Sequence, residues 1–137
     1  MIPLYAQDHD FSMYNVLAVD DIPLNLLLVQ KMLSRFNFRM RTAGGGQQAL
    51  DAVAEEKPDL ILLDLMMPGI DGFEVISRLR SDPATQDIQI IILSALNSNE
   101  DIVKGFNAGA NDFIMKPIIM EKLLTCVVNH LLLVPKK

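Results

Sequence analysis

The sequence predicts an α/β fold, a doubly wound five-stranded parallel sheet with helices on both faces, and three observations carry that reading. Short continuous aliphatic runs such as Leu60-Ile61-Leu62-Leu63 are too short for helices and do not alternate with polar residues, so they read as strands buried on both faces. Segments with apolar residues at three- and four-residue spacing separate these runs, and regular strand–helix alternation implies parallel strands joined by right-handed crossovers. Charged and hydroxyl residues stand at the C-terminal ends of the runs, which gathers polar groups along one edge of the sheet. A chain of 137 residues, 50% of them hydrophobic, is long enough to bury one core.

Residues 1–14 show neither helical nor strand periodicity and are expected to form a flexible N-terminal arm that includes His9, ahead of a domain over residues 15–134 and a tail at 135–137. The first strand, Asn15-Val16-Leu17-Ala18-Val19, stops at Asp20-Asp21. Pro23 suits a first helical turn, and Leu24, Leu28, Val29, Met32, Leu33 and Phe36 form an apolar stripe opposite Gln30, Lys31, Ser34 and Arg35, which predicts a helix to about Phe36. Phe38 to Thr42 alternates apolar with polar, as a half-exposed strand at a sheet edge does. A second helix follows Gly44-Gly45-Gly46 and closes before Pro58, with Ala49, Leu50, Val53 and Ala54 on its apolar side.

The strand at residues 60–63 ends on Asp64 and is followed by the turn Pro68-Gly69. Residues 73–80 form a third helix, broken by Ser81-Asp82-Pro83, and Ile88 to Leu93 a fourth strand ending at Ser94. Residues 99–108 form a fourth helix with Gly105 as an internal weak point, costing about 1 kcal/mol against Ala. Asp112 to Met115 is a short fifth strand that delivers Lys116-Pro117, and Met120 to Leu132 is the last helix.

A net charge of -5 argues against a general nucleic-acid surface and against binding to anionic membranes. No aliphatic run approaches the roughly 18 residues that span a bilayer, and the N-terminus lacks a signal-peptide pattern, so a cytoplasmic location is expected. The lone Cys126 in an apolar helical run reads as a small core hydrophobe rather than a reactive thiol. The 8 methionines fall mostly at apolar positions and read as core filling.

Parallel strands all end at one edge, so Asp20, Asp21, Asp64, Ser94 and Lys116 are expected to converge. Three carboxylates in one cluster repel, and such a site either holds raised pKa values or binds a divalent cation. Oxygen donors without His or Cys favour Mg2+, which held by one or two carboxylates usually works on a phosphate. Phosphoryl chemistry needs a nucleophile, a metal and groups for the equatorial oxygens. Asp64 supplies an ionised carboxylate, Lys116 a point charge and Ser94 a hydroxyl donor.

Asp20-Asp21, the stretch Asp64-Leu65-Met66-Met67-Pro68-Gly69-Ile70-Asp71-Gly72, Ser94-Ala95 and Lys116-Pro117, in this order at successive strand ends, resemble the receiver domain of two-component response regulators over about residues 15–132. The resemblance implies a flavodoxin-like strand order of 2-1-3-4-5. It implies that Asp64 is the phosphoacceptor, Asp21 a direct Mg2+ ligand, Asp20 a ligand through water and Met66 a ligand through its backbone carbonyl. Ser94 and Lys116 would bind the phosphoryl oxygens, the Lys116-Pro117 bond is usually cis in the family, and Phe113 stands at the aromatic switch position, where it cannot make the hydroxyl bond of the family's frequent Tyr. The implied activity is that of a signalling domain that catalyses only its own phosphorylation and dephosphorylation, with the readout on the fourth helix, fifth strand and fifth helix. The implied partners are a histidine kinase or histidine phosphotransfer protein, an output partner or domain, and a second copy in a phosphorylation-dependent homodimer. A receiver excised from a hybrid kinase or multidomain regulator is the nearest alternative.

Each motif also has a plainer reading. Asp20-Asp21 could cap the helix at Pro23, Asp71 suits a turn beside Gly72, and Lys116 alone could be a surface charge. Gly44-Gly45-Gly46-Gln47-Gln48-Ala49 fits a dinucleotide-binding fingerprint, but the strand before it carries Arg39 and Arg41 where a buried central strand is required. An aspartyl-phosphate phosphohydrolase typically has a second Asp two residues after the nucleophile, where this chain has Met66. An unphosphorylated interaction module of the same fold would have no use for the full acidic set with Lys116.

Overall fold

The structure, a computed structural model, describes residues 10–135, and the expectations for residues 1–9 and for 136–137 lie outside them. The elements are β1 (Asn15–Val19), α1 (Pro23–Leu33), β2 (Arg39–Ala43), α2 (Gly46–Glu55), β3 (Leu60–Leu63), α3 (Gly72–Ser81), β4 (Gln89–Ser94), α4 (Asn99–Ala108), β5 (Asp112–Met115) and α5 (Met120–Leu131). All strands pair in parallel in the order β2-β1-β3-β4-β5, with Val16 opposite both Met40 and Leu60 and Leu63 opposite Ile92. The predicted architecture and the edge position of β2 are both observed.

The continuous aliphatic strands serve two cores because successive side chains point to opposite faces. Val16, Ala18, Leu60, Leu62, Ile91 and Leu93 pack with α1 and α5, through Val29, Leu33, Leu123, Leu124, Val127 and Val128. Leu17, Val19, Ile61, Leu63, Ile90 and Ile92 pack with α2 and α3, through Ala49, Val53, Val75, Ile76 and Leu79. The central strands are thus covered on both sides.

Four expectations are corrected. The arm does not extend to residue 14: Phe11 is completely buried and Tyr14 nearly so. The Phe11 ring packs 5.1 Å from both Phe36 and Phe38, its N–H donates to Asn37 Oδ1, and Arg39 N–H donates to Tyr14 O, so residues 11–14 lead directly into the sheet. The first helix ends at Leu33 rather than Phe36, because the chain turns so that Phe36 can join this aromatic cluster. Its apolar stripe is right at Val29 and Leu33, which are buried, and at Met32 and Phe36, which pack against the core, but Leu24 and Leu28 are exposed. A helix that is apolar nearly all round has no unique stripe to count.

Gly105 is a packing residue rather than a weak point. A Cβ there would lie 2.8 Å from Ile92 Cδ1 and 3.3 Å from Phe113 Cδ2, so its absence lets α4 approach the sheet and leaves room for the Phe113 ring. The Arg80 guanidinium was not singled out from the sequence, yet it donates to Gly109 O, Gln86 O, Ile88 O and Asn111 Oδ1. It ties α3 to the segments entering β4 and β5, and burial holds its pKa below the usual guanidinium value.

Candidate functional site

The acidic end of the sheet is built by strand pairing. Asp20 N–H donates to Ala43 O and Asp64 N–H to Val19 O, so the ends of β1, β2 and β3 are locked in register beside one another. Lys116 N–H donates to Ser94 O at 2.8 Å and fixes the end of β5 against β4. The Lys116-Pro117 peptide is cis, as the resemblance implied.

Asp20, Asp21 and Asp64 each offer a carboxylate oxygen within 4.8 Å of the others. Asp20 and Asp64 are buried and Asp21 is exposed, so the cluster opens to solvent on one side. Lys116 Nζ lies 3.1 Å from Asp20 Oδ2 and 3.9 Å from Asp64 Oδ2, a single cation shared unequally between two carboxylates. Asp64 Oδ1 accepts a long hydrogen bond of 3.4 Å from Met66 N–H. Asp20 Oδ1 accepts from Ile22 N–H and its Oδ2 from Asn25 Nδ2, so Asp20 is held on both oxygens while Asp64 is held loosely. The plainer capping reading of Asp20 is not borne out: the N-cap of α1 is Ile22, which has no side-chain cap bond, and Asp20 instead holds the Ile22 N–H and Asn25 while facing Lys116.

Burial pushes the Asp64 carboxyl above the usual carboxylate range; Lys116 opposes this, Asp20 and Asp21 add to it, and the Met66 N–H works against it. The sign of the resulting pH dependence is definite. A carboxyl whose folded-state pKa exceeds its unfolded value penalises the folded state only once it ionises, so the penalty is absent below the unfolded pKa and complete above the raised one. In metal-free buffer the Asp64→Asn variant is expected to melt with the parent at acid pH and above it near neutrality. Parallel melting curves in EDTA across that range check this, and a constant difference would contradict it.

Ser94 is completely buried at the end of β4, where its Oγ accepts from Leu96 N–H at 3.1 Å and keeps its own proton to donate. Met66 is exposed in the loop after β3. Phe113 is half-buried on β5 beside Gly105. Asp71 is the N-cap of α3, accepting from Glu74 N–H, which agrees with its reading as a turn residue. A Cβ at Gly46 would collide with the Ile70 carbonyl and side chain, so the second glycine of the apparent fingerprint serves contact between α2 and the loop before α3.

Asn25 is the residue of this site that was missed. Its signal is a lone amide in the apolar run Leu24 to Val29, five residues after Asp20. Beside it a cleft of about 260 Å³ is lined by Asp20, Asn25, Leu28, Val29, Lys116 and Pro117. The oxygen-rich, charge-repelling trio fits a hard divalent cation such as Mg2+, because a cation would relieve the burial and repulsion that raise Asp64.

A family model described as the response regulator receiver domain matches residues 16–128. The chain is 43% identical over 103 residues to the response regulator PleD of Caulobacter vibrioides, which covers 75% of this chain and 23% of that protein. It spans less than half the length of the curated relatives it matches first. Among solved structures it is similar to the chemotaxis protein CheY4 of Vibrio cholerae, with a TM-score of 0.80 and 30% identity over 85% of this chain and 98% of that one. It is also similar to the signal receiver domain of a signal transduction histidine kinase from Syntrophus aciditrophicus, with a TM-score of 0.83 and 28% identity over 90% of this chain and 94% of that one.

Proposed function

The chain belongs to the response regulator receiver domain family of two-component signalling, and from that membership we propose that Asp64 is its phosphoacceptor, taking a phosphoryl group from a phosphohistidine partner. The observation that supports this best is the asymmetry of the carboxylates. Asp20 is bonded on both oxygens, whereas Asp64 keeps one oxygen bound only at 3.4 Å and the other 3.9 Å from Lys116. Of the two buried acids, Asp64 is the one with oxygens free to react.

In the proposed transfer the P–N bond of the donor imidazole breaks as a P–O bond to Asp64 forms, and an ionised carboxylate needs no general base. Asp21 and Asp64, with Asp20 through water and the Met66 carbonyl, would hold Mg2+, which when bound supplies positive charge for the phosphoryl oxygens. Lys116 is poised between Asp20 and Asp64 and would turn toward a new phosphoryl oxygen. Ser94 would donate its hydroxyl proton to another.

Movement of the Ser94 end of β4 would open space for Phe113, whose ring borders Ile92 and Gly105, and so carry the signal to α4, β5 and α5. The exposed Leu24, Leu27 and Leu28 on α1, beside the cleft at Asp20 and Lys116, suit the docking of a phosphohistidine-bearing helix, from a histidine kinase or a phosphotransfer protein. We place the domain in the cytoplasm with such partners, and among the described residues no helix is long and apolar enough to cross a membrane.

The test is labelling by a small phosphodonor. Parent protein is expected to take up label with Mg2+ and lose it with EDTA, and Asp64→Asn to take up none. Undiminished labelling of that variant would remove Asp64 from the mechanism, and steady release of phosphate from external esters would point to a hydrolase instead.

A further inference from the structure

At the opposite end of the sheet, three side chains of different donor type meet. Asp112 opens β5, and Cys126 and His130 stand four residues apart on one face of α5. Cys126 Sγ lies 3.2 Å and His130 Nε2 3.1 Å from the same oxygen, Asp112 Oδ2. The three donor atoms all fall within 4.8 Å of one another. We propose that Asp112, Cys126 and His130 form a second metal site, selective for Zn2+ and independent of the acidic pocket.

Four features support this assignment. Bond lengths of about 2.0–2.3 Å to O, N and S put neighbouring donors of a tetrahedral zinc site about 3.3–3.6 Å apart, so the sulfur and the nitrogen need each move only a few tenths of an ångström away from Asp112 Oδ2. His130 Nδ1 lies 3.0 Å from Gln89 Oε1, an acceptor that holds the Nδ1 proton and leaves Nε2, 3.1 Å from Asp112 Oδ2, as the nitrogen that would take a metal. Without a metal, a proton on Nε2 and the thiol proton of Cys126 fill these two contacts to Asp112 Oδ2, and a divalent ion that displaced both would meet all three donors at once. A thiolate, a carboxylate and a neutral imidazole also bring the charge of a divalent ion to zero.

The mixed S, N and O donor set favours Zn2+ over Mg2+, which takes oxygen ligands. The Asp112 side chain is 42% exposed, and an open groove runs past Asp112, Ile119, Thr125, Cys126 and Asn129, giving an entry path and a place for water as fourth ligand. On binding, the thiol proton leaves to solvent as the metal–sulfur bond forms. Burial and the adjacent Asp112 hold that thiol above its usual pKa, so the ion must displace the proton. The helix spacing Cys126-x-x-x-His130 was visible in the sequence, but Asp112 completes it only through the fold.

The test titrates the EDTA-treated, dialysed full chain with Co2+ in excess Mg2+, which occupies the acidic pocket. One equivalent is expected to give a thiolate-to-cobalt charge-transfer band and tetrahedral visible bands, both erased by Zn2+. Cys126→Ser should lose the charge-transfer band, and His130→Gln should bind Co2+ tenfold or more weakly, each with parental circular dichroism. A folded parent that shows no charge-transfer band would overturn the proposal, leaving the three groups a hydrogen-bonded cluster. A band surviving in Cys126→Ser would overturn it equally, and the parent result decides even if a variant fails to fold.

Discussion

Replacing Gly72 with alanine is expected to destabilise the domain by about 3 kcal/mol and to abolish labelling of Asp64, although Gly72 carries no functional group. An added Cβ would lie 2.6 Å from Asp64 O and 2.7 Å from Leu65 Cα. Both neighbours are backbone, so no side chain can yield, and the strain must be relieved by moving Asp64 itself or the start of α3. The Gly72 N–H donates to Leu65 O at 3.1 Å, so the contact is locked from both sides. For a domain of this size the melting temperature should fall by roughly 10 °C. Thermal melts with parallel phosphodonor labelling check both effects, and a variant that melts with the parent would show that the loop has more slack than its contacts imply.

The second large effect concerns Lys116. Its ammonium is the cation that the structure places between Asp20 and Asp64, and it opposes the upward shift of Asp64. Lys116→Ala is expected to slow labelling by about 100-fold, in the range found when one positioned donor to a developing anion is removed. The same change should tighten Mg2+ binding, because a like charge leaves the neighbourhood of the proposed metal site. Opposite movement of rate and metal affinity separates a role on the phosphoryl oxygens from simple structural support. Loss of both together would contradict it, and is best read by titrating Mg2+ while following the labelling rate.

Much of this fold was legible because strand and helix differ in period. The runs Leu60 to Leu63 and Asn15 to Val19 could be buried strands and little else, and the alternation around Arg39 and Arg41 put β2 at the edge where the structure has it. The acidic site was legible for a topological reason: parallel strands end together, so residues 20, 64 and 116 must meet even though they lie far apart in the chain. Legibility failed where local pattern was degenerate or where partners were distant. Leu24 and Leu28 lie on a helix with too many apolar residues to reveal its inward face, and Phe11 is held by the rings of Phe36 and Phe38, some 25 residues away. Arg80 and Asn111 bind mainly backbone groups of other elements, which leave no mark on the sequence nearby. Gly72 and Gly105 show the same difficulty, since close approach of backbones is a property of the assembled fold.

The strand-end carboxylate of Asp64 is proposed to accept the phosphoryl group. The most direct measurement is mass spectrometry of the intact chain after exposure to a small phosphodonor with Mg2+, followed by reductive trapping of the acyl phosphate and peptide mapping. A single phosphoryl increment, absent in EDTA, is expected to map to Asp64. An increment that maps to any other residue, or none in a folded protein supplied with Mg2+, would contradict it.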